Sequence, residues 1–203
     1  MNLPVPAPSL APRVALALPD SLLTRAKAVR VVFFDVDGVL TDGRLYYSEQ
    51  GEVLKAFHSL DGHGLKMLQR AGIVPAIISG RDSPALRTRL MHLGITQFAL
   101  GTEDKLPAAE KLLAAMGLDW SQAAAMGDDW PDLPLLHHAA FACAPANAHH
   151  EAKAAAHFVT QILGGMGAAR ELVDVLLQAC GQYQVQLDKH RAGNLHTTPQ
   201  QDR

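Results

Sequence analysis

Four consecutive apolar residues, Val31-Val32-Phe33-Phe34, end a strand-like segment that begins near Val29 and runs directly into Asp35-Val36-Asp37-Gly38-Val39. A strand with one wet face alternates apolar and polar side chains; one without alternation must be covered on both faces. That requirement points to a parallel sheet with helices on each side, and the sudden acid marks the strand's carboxyl end. Side chains at i and i+2 leave a strand on the same side. Asp35 and Asp37 would therefore share one small volume, where two carboxylates repel unless a cation or a shared proton relieves them. A polar strand end entering a glycine turn is the bland alternative.

The rest of the chain alternates in the same way. Strand-like runs at Ile73–Ser79, Gln97–Leu100, Ala123–Met126 and Ala140–Ala144 are separated by helix-like segments, with Phe158–Thr160 a short last strand. The helices span Gly64–Arg70, a stretch from Ser83-Pro84 to Gly94, Asp104–Met116, Pro131–His138, Ala146–Ala155 and Gly167–Ala179. Ser before Pro is a good helix start and Gly a good stop. Two short β-prone runs flank Ser48-Glu49-Gln50-Gly51-Glu52, so residues 44–57 read as a protruding β-hairpin. The expected fold class is α/β: a three-layer, Rossmann-like sandwich with a mostly parallel sheet and right-handed crossovers. Ligands bind such folds beyond the carboxyl ends of the strands.

At 203 residues the chain suits one domain. Pro4, Pro6, Pro8, Pro12 and Pro19 make residues 1–25 read as a disordered arm rather than a signal peptide. Residues 26–181 form the expected domain, and 182–203 a polar tail without a clear apolar period. A formal net charge of -2 argues against nucleic acid or an anionic membrane as partner. No stretch approaches the roughly 20 apolar residues of a membrane span. Two cysteines, Cys143 and Cys180, lack metal-ligand spacing and disulfide density, so a reducing, cytoplasmic setting is expected.

On this fold the remaining conspicuous polar residues also fall at strand ends: Ser79-Gly80-Arg81 after one strand, Asp128-Asp129 after another with Asp132 close behind, and Lys105 at a helix start. Each alone has a dull explanation as a turn cap, helix cap or solvated lysine. Together they suit phosphoryl transfer. A carboxylate is a competent nucleophile for phosphorus, and its approach to a dianionic phosphate needs neutralisation by a cation such as Mg²⁺ with oxygen ligands. Lys105 adds a point charge, Ser79 a hydrogen-bond donor, and Asp37 can exchange a proton with the leaving group and with water.

Asp35-Val36-Asp37-Gly38-Val39, Ser79, Lys105 and Gly127-Asp128-Asp129-Trp130-Pro131-Asp132 resemble, in order, the four motifs of haloacid-dehalogenase-superfamily phosphatases. Asp42-Gly43, Lys55-Ala56-Phe57, Asp61-Gly62-His63-Gly64, Ser79-Gly80-Arg81 and Gly164-Gly165-Met166-Gly167-Ala168-Ala169-Arg170-Glu171 further resemble the capless 3-deoxy-D-manno-octulosonate 8-phosphate phosphatase family, over roughly residues 30–180. The resemblance implies an Mg²⁺-dependent phosphomonoesterase of lipopolysaccharide synthesis. Asp35 would be the nucleophile, and Asp37 the general acid/base whose backbone carbonyl also ligates the metal. Asp128 would complete the metal set, with Asp129 and Asp132 behind it. Substrate contacts would come from Gly38, Gly80, Arg81, Asp61 and Gly62. It also implies no cap domain, and a homotetramer built through the hairpin.

Two departures stand out. Leu60 and Met166 occupy positions where some relatives carry Arg, so His63, Arg170 or a tail residue would have to rebuild any lost contact. Alternatives are a related nonulosonate 9-phosphate phosphatase, against which Arg81 argues, a signalling receiver domain, and a non-catalytic assembly module. Gly165-Met166-Gly167 lacks the third glycine of a dinucleotide loop. The pairs His137-His138 and His149-His150 diverge on a helix and suit packing better than zinc. Cys143 reads as an inert core thiol, Trp120 as packing, and Trp130 as packing or a wall of the site.

Overall fold

The computed structural model describes residues 19–193. In chain order these form α1 (Asp20–Ala28), β1 (Val31–Phe34), β2 (Tyr46–Ser48), β3 (Gly51–Leu54), α2 (Ser59–Arg70), β4 (Val74–Ser79), α3 (Pro84–Leu93) and β5 (Gln97–Leu100). There follow α4 (Lys105–Met116), β6 (Ala123–Met126), α5 (Leu133–His138), β7 (Phe141–Ala144), α6 (His150–Ala155), β8 (Phe158–Val159), α7 (Ala168–Ala179) and α8 (Gln182–Arg191). Six strands make one parallel sheet in the order β5-β4-β1-β6-β7-β8. The chain moves outward from β1 on one side and then returns to β6 on the other. The strand order thus reverses at β1, which puts a crevice at its carboxyl end.

Every residue of β1 is buried, as the unbroken apolar run requires. Val32 and Phe34 join Leu65 and Leu68 of α2 and Leu172, Val173 and Leu176 of α7 in one core layer. Val31 and Phe33 face the other layer, with Ala109 and Leu113 of α4 and Leu135 and Leu136 of α5. Each such large side chain contributes about 1.5–3 kcal/mol by leaving water. The strand that bears Asp35 is therefore clamped from both sides.

Local signals set the helix ends. Ser83 accepts from Leu86 N ahead of Pro84, and Gly94 stops α3 in the left-handed conformation. The helix expected from Gly64 begins earlier, at Ser59, because the His58 ring accepts from Leu60 N. Gly62 and Gly64 serve packing inside α2: a Cβ on Gly62 would strike Arg89, and Gly64 lies against Arg170.

Both ends of the domain need correction. The disordered arm expected to reach residue 25 is helical from Asp20, where α1 buries Ala26 and packs Leu22 and Leu23 on the core. Residues 1–18 lie outside those described. The polar tail from 182 is also helical at first: α8 buries Gln186, whose side chain donates to Met67 O on α2 at 2.9 Å. A helix held by one buried amide and little apolar surface leaves no period to read. The tail beyond 193 lies outside the described residues.

Between β1 and α2 there is only the hairpin, β2 paired antiparallel with β3. No cap domain is present among the described residues. The hairpin exposes Leu45, Tyr46, Tyr47, Val53 and Leu54.

Candidate active site

Asp35 follows β1 directly, and the chain then turns tightly. Leu40 and Thr41 both donate from their backbone to Val36 O, and Thr41 Oγ1 accepts from Gly43 N at 3.2 Å. Gly38 has φ of 99°, and a Cβ there would collide with the Asp128 carboxylate. Only glycine satisfies both demands. A late segment closes over this turn: Gly165 N donates to Val39 O at 2.9 Å, and side chains on Gly164 or Gly165 would strike the backbone of residues 38–42. Ser79 is buried at the end of β4, and its hydroxyl oxygen accepts from Arg81 N at 3.2 Å. Asp128 follows β6.

These ends meet in an open cleft lined by Asp35, Asp37, Ser79, Gly80, Arg81, Lys105, Asp128, Asp129 and Asp132. Lys105 opens α4 and is buried. Its ammonium donates at 2.6 Å to Asp35 Oδ1 and at 2.6 Å to Asp132 Oδ1. The second oxygen of Asp132 accepts from Asp128 N at 2.9 Å and Asp129 N at 3.3 Å. Both oxygens of Asp132 are thus committed, whereas Asp35 is held by Lys105 and by the backbone of Val36.

Carboxylate oxygens of Asp35, Asp128 and Asp132 lie within 4.8 Å of one another. Burial, then the Asp132 charge, pushes Asp35 up to about 7 against the opposing pull of Lys105. Burial, then Asp35 and Asp132, pushes Asp128 up to about 8. Burial by itself would lower Lys105, but Asp35 and Asp132 outweigh it and hold the ammonium above its usual range. Three carboxylates against one ammonium leave two negative charges when all are ionised, which suits a hard divalent cation with oxygen ligands. Because Asp132 is doubly engaged, Asp35 and Asp128 are the side chains with oxygens to offer it.

Asp37 lines the same cleft but turns toward the hairpin. Its Oδ1 pairs with Lys55 Nζ, and its Oδ2 lies 3.8 Å from Arg81 Nε. Arg81 donates to Tyr47 Oη at 2.9 Å. Sequence reasoning missed Lys55, Glu52 and Tyr47 as members of this wall. Lys55 stood within the motif Lys55-Ala56-Phe57, but no pattern assigned it a partner.

Other expectations fail on geometry. Asp61 and Gly62 do not reach the cleft: Asp61 is buried against the start of α7, accepting from Gly167 N at 3.2 Å and Arg170 N at 2.9 Å. Orphan donors at a helix start attract a carboxylate, which explains this placement. His63 packs edge-on to His190 at 5.2 Å, and Arg170 pairs with Asp174 at 2.8 Å, so neither rebuilds a contact in the cleft. Leu60 and Met166 are exposed. Trp130 is 61% exposed and donates to His149 Nδ1, while Trp120 packs on Phe33.

Residues 101–169 match the model of the haloacid dehalogenase-like hydrolases. The 3-deoxy-D-manno-octulosonate 8-phosphate phosphatase of Haemophilus influenzae is 45% identical over 157 residues, spanning 77% of this chain and 87% of that protein. The cobalt-bound structure of the H. influenzae phosphatase has a TM-score of 0.80 at 42% identity, covering 84% of this chain and 99% of that one. The Moraxella catarrhalis phosphatase, in complex with magnesium, phosphate and 3-deoxy-D-manno-octulosonate, has a TM-score of 0.82 at 34% identity, covering 84% and 98%.

Proposed function

Because this chain belongs to the 3-deoxy-D-manno-octulosonate 8-phosphate phosphatase family of haloacid dehalogenase-like hydrolases, we propose that it releases phosphate from that eight-carbon keto-sugar acid phosphate in lipopolysaccharide synthesis. The observation that carries the reading is the Lys105 ammonium held between Asp35 and Asp132 at a sheet edge shared with Asp128. Asp35 supplies the carboxylate oxygen that attacks phosphorus, while Lys105 holds the group in place. The P–O bond to the sugar breaks as the Asp35–phosphorus bond forms, and Asp37 gives a proton to the departing alkoxide. Water then attacks the aspartyl-phosphate, returning a proton to Asp37 and freeing phosphate and Asp35. Ser79 and Lys105 supply donor and charge to the phosphoryl oxygens.

Mg²⁺ fits the donor set. Asp35, Asp128 and the backbone carbonyl of Asp37 would hold it, with Asp129 and Asp132 orienting them, and it would neutralise charge on the phosphoryl group. Arg81, placed at the cleft rim, suits the substrate carboxylate, with Gly38 and Gly80 allowing close approach. The exposed apolar hairpin supports assembly into a homotetramer. Two unbonded cysteines accord with the cytoplasm, and among the described residues no helix is long and apolar enough to cross a membrane.

A phosphate-release screen with and without EDTA tests the reading. The octulosonate 8-phosphate should exceed nonulosonate 9-phosphates and simple hexose phosphates, and EDTA should abolish release. Equal rates across sugar phosphates, or release that persists in EDTA, would defeat it.

A further inference from the structure

Two lysines are buried among the described residues, Lys105 and Lys55. Lys105 belongs to the phosphoryl site, but Lys55 arrives from the hairpin, immediately after β3. Its side chain is 2% exposed, and its ammonium contacts Asp37 Oδ1 and, at 3.1 Å, Glu52 Oε1. A buried charge needs a reason, because an apolar side chain of similar size usually serves packing as well or better. Here the hairpin is inside out: Val53 and Leu54 are each 57% exposed while the next residue buries its charge. Anchoring the hairpin would call for the reverse arrangement.

We propose that Lys55, held by Glu52, is a positioning residue that fixes Asp37 so that Oδ2 alone exchanges protons with substrate and water. The proposal rests on the reading of Asp37 as acid/base. Lys55 occupies Oδ1. Among the described residues the one charged partner near Oδ2 is Arg81, at 3.8 Å and beyond hydrogen-bond reach, and Asp37 lines the cleft. In the first half of the reaction the Oδ2 proton passes to the leaving oxygen as its bond to phosphorus breaks. In the second half a water proton returns to Oδ2. Without Lys55 the carboxylate is free to rotate, and neither oxygen is held where the leaving group departs.

Leaving-group dependence separates this role from a structural one. The full chain with Mg²⁺ is assayed for kcat/KM on the octulosonate 8-phosphate, a primary alkyl ester, and on 4-nitrophenyl phosphate, whose leaving group departs without a proton. Asp37→Asn calibrates the assay: it should cost about 100-fold or more on the alkyl ester and much less on the aryl ester. Equal losses there would overturn the acid/base reading itself, and this proposal with it. Given that calibration, Lys55→Met should cost roughly 10- to 100-fold on the alkyl ester, in kcat rather than KM, and only a few-fold on the aryl ester. Lys55→Arg should restore part of the loss. Glu52→Gln should show a smaller effect with the same bias, and it decides the matter if Lys55→Met does not fold. Equal losses on both esters, or none, would overturn the positioning role while leaving the acid/base reading intact.

Discussion

Two lysines each sit between two acids, and they differ in what holds them. Lys105 lies between Asp35 and Asp132, and all three are nearly sealed from water by elements of the main sheet. Lys55 lies between Asp37 and Glu52, whose side chains are 21% and 13% exposed, and two of the three belong to an appended hairpin. The first trio is fixed by the same packing that stabilises the domain. The second depends on an element with almost no core of its own. On the proposed mechanism covalent chemistry is built on the part fixed by the core, while proton exchange and substrate recognition are exposed to whatever moves the hairpin.

The largest expected effect tests the rigid trio. Asp35→Asn should remove about 10⁴-fold or more of phosphate release, and a trapped aspartyl-phosphate should no longer form. Residual release within tenfold of the parent would contradict the assignment. Stability sharpens the contrast next. Lys105→Met leaves two buried carboxylates uncompensated and should cost about 3–5 kcal/mol, measured by denaturant unfolding in chelator. Lys55→Met leaves partly solvated acids and should cost about 1–2 kcal/mol. If the order of the two were reversed, the distinction between core and rim would be wrong.

Acidity offers a third probe. Asp35 and Asp128 are held up to about 7 and about 8, above the ordinary carboxylate value of 3.8. A group with a raised folded-state value stabilises fully below its unfolded value and loses that contribution as pH rises through the folded one. The chelated protein should therefore lose this contribution between about pH 4 and about pH 8. Added Mg²⁺ should raise Tm more at about pH 8.5 than at about pH 5.5. A pH-independent Mg²⁺ shift would argue that these carboxylates are not the ligands.

Asp61→Ala should cost about 1 kcal/mol through the start of α7 while sparing KM, whereas a raised KM would return Asp61 to the substrate. The smallest effect on the isolated chain should come from Val53→Ser with Leu54→Ser, within about 0.5 kcal/mol each. Sedimentation should nonetheless show a smaller assembly. An unchanged sedimentation coefficient would remove the hairpin from the interface.

The contrast also explains what was legible in the sequence. β1 announced itself because burial on both faces erases alternation, and Asp35 was conspicuous because it broke that run. Ser79, Lys105 and Asp128 followed once strand ends were counted. α1 and α8 were not legible: one follows a proline-rich stretch, and the other is held by Gln186 on a backbone carbonyl rather than by an apolar stripe. Asp61 entered the substrate list only through the family motif Asp61-Gly62-His63-Gly64, and no local pattern showed what it would touch. In the structure it accepts from backbone donors supplied from far along the chain. Lys55 was hidden for a related reason. Its partner Asp37 lies across the hairpin, and no local spacing encodes a contact of that kind.

The closure of Gly164 and Gly165 over residues 38–42 has a consequence for synthesis. Asp35, the proposed nucleophile, leaves the ribosome early, yet the backbone that braces its turn is translated only after β8. A nascent chain can therefore assemble much of the sheet while its phosphate chemistry stays silent, and ribosome-stalled chains ending before Gly164 should release no phosphate. Competence arrives late in translation, when almost the whole domain is free to fold as one unit.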